Sequence, residues 1–274
     1  MNCFTKIALC VAVLAITSRI ATAQTYRNSI GLSIGTFHLR TLDQQASPLR
    51  YVGTISPQYG FTYRYHTDRS QFNLRFSGGA GTMNPERFGA RTYTTKFGDG
   101  TPYSYQISSE FFHVNVEADY LQRIGPAEPG RLTTWVGGSI HESLLYGDEV
   151  ANFPWLVNTA TVSPVVQTDY AFGAGHSLTL RIDIAAVGLI TRAIWASFPK
   201  SIGDNNVIAY VKQGTHRATV NKLGNTNVQL GYSYRVSPRI SVGATYRARY
   251  LTYPDPRPIR ALTSSLSLEG EVHF

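Results

Sequence analysis

Cysteine is confined to the first ten residues of this 274-residue chain, as Cys3 and Cys10. Everything downstream is therefore without disulfide or thiol chemistry. Charge is scarce too: Asp, Glu, Lys and Arg make up 15% of the chain, against roughly 25% in soluble domains. Long apolar runs are missing. Beyond residue 24 the longest spans 184–190, bounded by Asp183 and by Thr191-Arg192. A membrane-crossing helix needs roughly 18 or more such residues, so a helical membrane protein is excluded. The net charge is +8, but the basic residues are scattered singly rather than clustered with aromatics on one face. Nucleic acid is excluded as a partner on that ground. No cofactor and no metal is expected.

Aromatics and glycine are plentiful: 17 Tyr, 13 Phe and 24 Gly point to sheets with aromatic surfaces and tight turns. The chain opens with a basic Lys6, a short apolar core over 7–16 and the small-x-small site Ala21-Thr22-Ala23 before Gln24. That is the pattern of an export signal cleaved after Ala23, leaving 24–274 as one domain. Ile7-Ala8-Leu9-Cys10 lacks the small residue that a lipidation site carries before its cysteine.

From residue 24 onward the recurring signal is alternation with period two, in segments of about ten residues. Residues 29–40 alternate Ile30, Leu32 and Ile34 with Gly31, Ser33 and Gly35. Residues 54–65 set Tyr59, Phe61, Tyr63 and Tyr65 against Gly60, Thr62 and Arg64, and the third segment sets Phe72, Leu74 and Phe76 against Asn73 and Arg75. The clearest is the fourth, where Phe112, Val114, Val116, Ala118 and Tyr120 alternate with His113, Asn115, Glu117 and Asp119. Six more segments follow: 132–141, 159–170 (less regular), 178–184, 228–235, 240–250 and 265–274.

Alternation alone also suits a soluble barrel or sandwich. The discriminator is that charge shares one face with small residues while the other is almost uniformly aliphatic or aromatic. A closed sheet in lipid requires that arrangement, apolar outside and polar inside, because lipid satisfies no backbone hydrogen bonds. Short turns near His66, Gly125, Phe172 and Ser237 alternate with long polar stretches at 82–109, 146–158, 191–223 and 253–258. The pattern predicts an all-β, transmembrane, antiparallel up-and-down barrel of about ten strands with both ends on the periplasmic side. Within 191–223, Val207-Ile208-Ala209-Tyr210-Val211 and Ala218-Thr219-Val220 either extend strands or add a hairpin, giving twelve.

The chain ends in Leu266-Ser267-Leu268-Glu269-Gly270-Glu271-Val272-His273-Phe274. This resembles the terminal strand of bacterial outer-membrane β-barrels, which finish on an aromatic residue after alternating apolar positions. The resemblance implies outer-membrane lipid as surroundings. It also implies that Leu266, Leu268, Gly270, Val272 and Phe274 form the signal read by the barrel-assembly machinery.

With the greasy faces turned to lipid, the interior receives Arg64, Arg75, Arg181, Arg235, Arg247, Arg249, Glu117, Asp119, Asp183, Glu269 and Glu271. Opposite charges confined there should pair, since an unpaired buried charge costs several kcal/mol. A polar plug follows, with a structural or surface-interaction role; a narrow conduit lined by arginines is the alternative, since wide pores need roughly sixteen strands. His113 and His141 should lie near each other on the lumen face, close to Glu110 and Glu142. His141-Glu142-Ser143 has the His-x-Ser spacing of outer-membrane lipid hydrolases such as the phospholipase A and the lipid A deacylases. That resemblance implies an imidazole activating a hydroxyl. No flanking motif and no clear third member accompany it, though Glu149 and Asn152 are available in the loop, and the predicted face is the lumen unless a bulge at Gly137-Gly138 reverses it. Polar residues lining a barrel mouth explain the same pattern without catalysis. The stretch 82–109 offers Tyr93, Tyr103 and Tyr105 with Arg87, Arg91 and Lys96 as a loop surface for binding.

Overall fold

A computed structural model describes residues 27–125, 132–150, 153–172, 175–192, 212 and 214–274. The export segment with its cleavage site, both cysteines, Asn152 and the 207–211 run lie outside the described residues. Fourteen strands are found among those described: β1 (Asn28–Asp43), β2 (Arg50–His66), β3 (Ser70–Pro85), β4 (Arg91–Lys96), β5 (Pro102–Ile107), β6 (Ser109–Ile124), β7 (Leu132–Val150), β8 (Phe153–Phe172), β9 (His176–Ile184), β10 (Val187–Arg192), β11 (Thr215–Thr219), β12 (Gly224–Ser237), β13 (Ile240–Tyr253) and β14 (Ile259–His273).

Ten of them close into a barrel. Each pairs antiparallel with its neighbour in the order β1, β2, β3, β6, β7, β8, β9, β12, β13, β14, and β14 returns to β1 with Ser29 opposite His273 and Asp43 opposite Ile259. The backbone is thereby satisfied all round, the condition for a sheet to cross lipid. Where β9 stops, β10 carries on along β8, with Val187 opposite Val162, and β11 lies against β10. These two short strands prolong β9 and β12 outward, so the count round the barrel is ten and the alternative of twelve is not formed.

The first described residues, the last residue and the β2–β3 and β12–β13 turns lie at one end, the inner end, where the Asn28 amide donates to the Phe274 carbonyl at 3.1 Å. The outer end differs from the sequence expectation in two places. The predicted loop at 146–158 is mostly strand, since β7 runs to Val150 and β8 begins at Phe153. The predicted 82–109 loop instead extends β3 to Pro85 and then forms a separate β4–β5 hairpin. Tyr and Thr at alternate positions there suit a strand as well as a loop.

Through the lower part of the barrel, polarity is the inverse of a soluble protein's. Ile30, Leu32, Ile34, Phe72, Leu74, Phe76, Leu180, Leu230 and Leu268 are exposed on the outer face. Glu117, Asp119, Arg181, Asn73 and Asn227 are buried inside. An aromatic girdle of Tyr65, Phe72, Tyr120, Tyr170, Tyr232 and Phe274 rings the inner end of this apolar band.

Further out the polarity inverts, a feature the sequence reading missed. On β1 the inward positions run Ser29, Gly31, Ser33 and Gly35, then change to Phe37 and Leu39. The outward positions run Ile30, Leu32 and Ile34, then His38 and Arg40. β2 makes the same change with a bulge: Gly35 faces Gln58 but Phe37 faces Ile55, so one extra residue of β2 swaps its faces. Above that level Tyr51, Ile55, Met83, Phe111, Leu145, Trp155, Val157, Ile190, Leu251 and Ile259 fill the lumen as one dry core. The outer part is a soluble-type barrel stacked on a membrane-type one.

The closing seam depends on close backbone approach. A Cβ at Gly35 would fall 2.7 Å from the Ser267 Cα and collide with the Leu266 carbonyl oxygen. Gly35→Ala is therefore expected to prise β1 from β14 and cost about 1–3 kcal/mol, as overpacking does. A lowered urea midpoint for the detergent-folded barrel checks this, and an unchanged midpoint refutes it.

Candidate functional site

Period-two alternation on β3, β6, β9 and β13 aims their charged residues at one level of the lumen. Arg75 lies 3.0 Å from Glu117 and 2.6 Å from Asp119, both across the β3–β6 ladder. Arg181 reaches over from β9, contacts Glu117, lies 2.6 Å from Asp119 and turns its Nε to Asp183 at 3.4 Å. Arg247 of β13 approaches the other Glu117 oxygen at 3.3 Å. Amides complete the set: Asn73 donates to Asp119 at 2.6 Å and Asn227 to Asp183 at 2.9 Å. Each carboxylate thus has a cation and at least one further polar neighbour, as buried ions require. Six of the predicted lumen charges, Arg75, Glu117, Asp119, Arg181, Asp183 and Arg247, form this one layer.

The others are distributed along the axis. Arg249 sits above, donating to Asn225 and to Thr159 at 2.7 Å each. Arg64 and Glu271 pair at 3.3 Å below, and Glu269 is half-buried near them, accepting from Ser267 at 3.4 Å. Arg235 is exposed at the inner mouth rather than buried, because it falls within the last turn of β12 before the tight connection to β13.

His113, His141 and Ser143 are all buried in the lumen, between the ion layer and the apolar core. The face matches the expectation; the partners do not. Ser143 Oγ lies 3.4 Å from His113 Nε2 on the neighbouring strand, while His141 Nε2 is bonded to Asn115 Oδ1. His113 is further held by Gln58 at 3.2 Å and by stacking on Phe37 with ring centroids 4.0 Å apart. Glu110 and Glu142 are not near this group: they occupy the opposite parity and point outward, Glu142 accepting from Asn158 at 3.1 Å. The β6–β7 register runs unbroken through Gly137 and Gly138, so no bulge there reverses the face. The side chain of Glu149, like Asn152, lies outside the described set.

Sealing the outer end is a polar latch within the apolar core. Asp43 accepts from the Trp155 indole at 2.9 Å and from Arg192, whose other nitrogen donates to the Asp255 and Arg257 carbonyls at 2.6 and 2.7 Å. One buried arginine thereby ties β10 to the β1–β2 and β13–β14 connections. No motif marks this arrangement, since Asp43, Trp155 and Arg192 are far apart in sequence. The β4–β5 hairpin outside the barrel exposes Tyr93, Lys96, Phe97 and Tyr103, with the Phe97 and Tyr103 rings 5.3 Å apart, and Arg87 lies over the Phe88 ring. Arg91 and Tyr105 belong to its strands, but their side chains lie outside the described set.

On the closing strand Leu266, Leu268, Val272 and Phe274 point outward, flanking an exposed Gly270. A closed ten-stranded sheet, apolar outside, girdled by aromatics and ionic within, has the fold of the bacterial outer-membrane β-barrels. No protein-family profile matches the chain, and no curated protein sequence matches it. Similar solved structures include Neisserial surface protein A, at 10% identity over 89% of this chain and 97% of that one, TM-score 0.37. The translocator domain of the autotransporter NalP from Neisseria meningitidis aligns at 9% identity over 98% and 95%, TM-score 0.41. Ail, the attachment invasion locus protein of Yersinia pestis, aligns at 11% identity over 90% and 99%, TM-score 0.30.

Proposed function

We propose that the mature chain is a non-conducting outer-membrane barrel with a structural or surface-interaction role. One observation carries this: the lumen is narrowed by the Arg75–Glu117–Asp119–Arg181 layer and closed above it by the apolar core around Phe111 and Trp155. The apolar core blocks hydrated ions by excluding water, and the paired charges below it narrow the section to a small gap of about 50 Å³ beside Arg75 and Arg247. The leader up to Ala23 would deliver the chain across the inner membrane, the outward stripe ending at Phe274 would be read by the assembly machinery, and lipid would then surround the apolar band. With the short turns in the periplasm, the long outer end and its aromatic hairpin would stand above the membrane, available to contact other surfaces.

In planar bilayers the purified protein is expected to give no conductance steps in potassium chloride at either polarity. Stable unitary currents would refute the sealed barrel and favour the narrow-channel reading. Lipid hydrolysis by His141 and Ser143 is less well supported. An enzyme acting on membrane lipid needs its nucleophile at the lipid face, and both side chains here are enclosed by strands.

A further inference from the structure

Below the ion layer the lumen is not filled. A cavity of about 360 Å³ opens at the inner end and continues into one of about 240 Å³; the two share Arg64, Gln71, Ser177, Ser233, Ser241 and Glu271. Its far wall is the ion layer itself, through Arg75 and Arg247. The space is therefore a blind vestibule, large enough for a small solute.

Its mouth is unevenly charged. Arg27, Arg64 and Arg235 line it with a single carboxylate, Glu271. That carboxylate is already engaged by Arg64 at 3.3 Å and by the Ser29 hydroxyl. Arg27 and Arg235 are exposed and have no carboxylate partner among the described residues. Hydroxyls stand beside them: Ser177 and Ser233 are 2.8 Å apart across the β9–β12 ladder, and Ser241 bonds the His273 ring at 2.9 Å. Deeper in, Asp169 and Glu269 also line the space, so the uncompensated positive charge is confined to the mouth. Charge of one sign between low-dielectric walls focuses its field on ions of the opposite sign. Guanidinium groups are suited to oxyanions, which they bind through paired, charge-assisted hydrogen bonds.

We propose that the mouth of this vestibule is a binding site for a small oxyanion carrying at least two negative charges, entering from the inner side and held short of the Asp169 and Glu269 carboxylates. Arg27 and Arg235 supply the charge, and the serine hydroxyls supply neutral donors deeper in. Phosphate-bearing and polycarboxylate solutes share this chemistry, and two probes separate them.

The test is calorimetric titration of the whole mature protein, folded in non-ionic detergent, with inorganic pyrophosphate and, separately, with citrate. Saturable binding of one equivalent is expected for at least one probe, weakening as salt rises. Tighter pyrophosphate binding identifies a phosphate-bearing solute, and tighter citrate binding a polycarboxylate. The double variant Arg27→Gln/Arg235→Gln removes exposed side chains only and should fold normally. Its Kd is expected to rise at least about tenfold, since two charge-assisted donors are lost. Arg40→Gln/Arg50→Gln, at the outer end of the barrel, should leave Kd unchanged. The site is overturned if neither probe binds, or if the Arg27/Arg235 variant binds as tightly as the parent.

Discussion

Arg181→Met is expected to destabilise the folded barrel by about 3–5 kcal/mol, the usual cost of breaking a buried ion pair from one side. The residue is wholly buried and touches three carboxylates, those of Glu117, Asp119 and Asp183. The three are not equally exposed to its loss. Glu117 keeps Arg75 and Arg247, and Asp119 keeps Arg75 and Asn73. Among the described residues, Asp183 is left with the Asn227 amide at 2.9 Å and no close cation. Adding Asp183→Asn to Arg181→Met should therefore restore a substantial part of the loss, whereas Arg181→Met alone should not be rescued by salt, which screens buried pairs poorly. Urea unfolding in detergent, followed by tryptophan fluorescence, gives the comparison. A loss under about 1 kcal/mol for the single variant would show that the layer is hydrated and open rather than a packed plug. Arg181→Met should still be silent in a bilayer, because the apolar seal above is untouched.

The members of this layer were legible in the sequence because period two assigns a face without knowledge of the fold. Arg75, Glu117, Asp119, Arg181 and Asp183 alternate with Phe, Val, Ala, Leu and Ile, and parity alone turns them inward. Which charges meet was not legible, since Arg181 and Glu117 lie on strands that are not neighbours in the sheet. The same limit explains the histidines. His141 and Ser143, two apart on one strand, share a face but are spaced by about 6.6 Å along it, beyond hydrogen-bond reach. Side chains on adjacent paired strands come closer, and the register sets Ser143 opposite Asn115, one step from His113. Strand number and closure followed from turn spacing. The upper barrel did not: the sequence carries the first segment to residue 40, close to its end at Asp43, but only the structure shows that beyond Ile34 the inward face turns from small and polar to Phe37 and Leu39.

Two adjacent phenylalanines on β6 put that inversion to an experimental contrast. Phe111 is 0% exposed and Phe112 is 41% exposed, with Phe111 inside the outer core and Phe112 on the outer face near Tyr146. Hydropathy does not distinguish them; facing does. Phe111→Ala removes a ring packed near Phe37, 6.0 Å between centroids, and against the floor that Gly53 leaves open. The strands around it are tied into ladders and cannot collapse into the space, so the cavity should persist and the cost should reach about 3–5 kcal/mol. Phe112→Ala exchanges ring contacts with detergent or lipid for contacts of a smaller side chain with the same solvent. Detergent tails fill the gap at once, so its cost should stay within about 1 kcal/mol. Thermal unfolding in one detergent, read as the shift of the folded band on unheated gels, ranks the two. Equal effects would mean that the outer half is lined like the inner half, with no dry core. A larger effect for Phe112 would reverse the assignment of faces on β6, and with it the inward placement of Glu117, Asp119 and His113, which share the parity of Phe111.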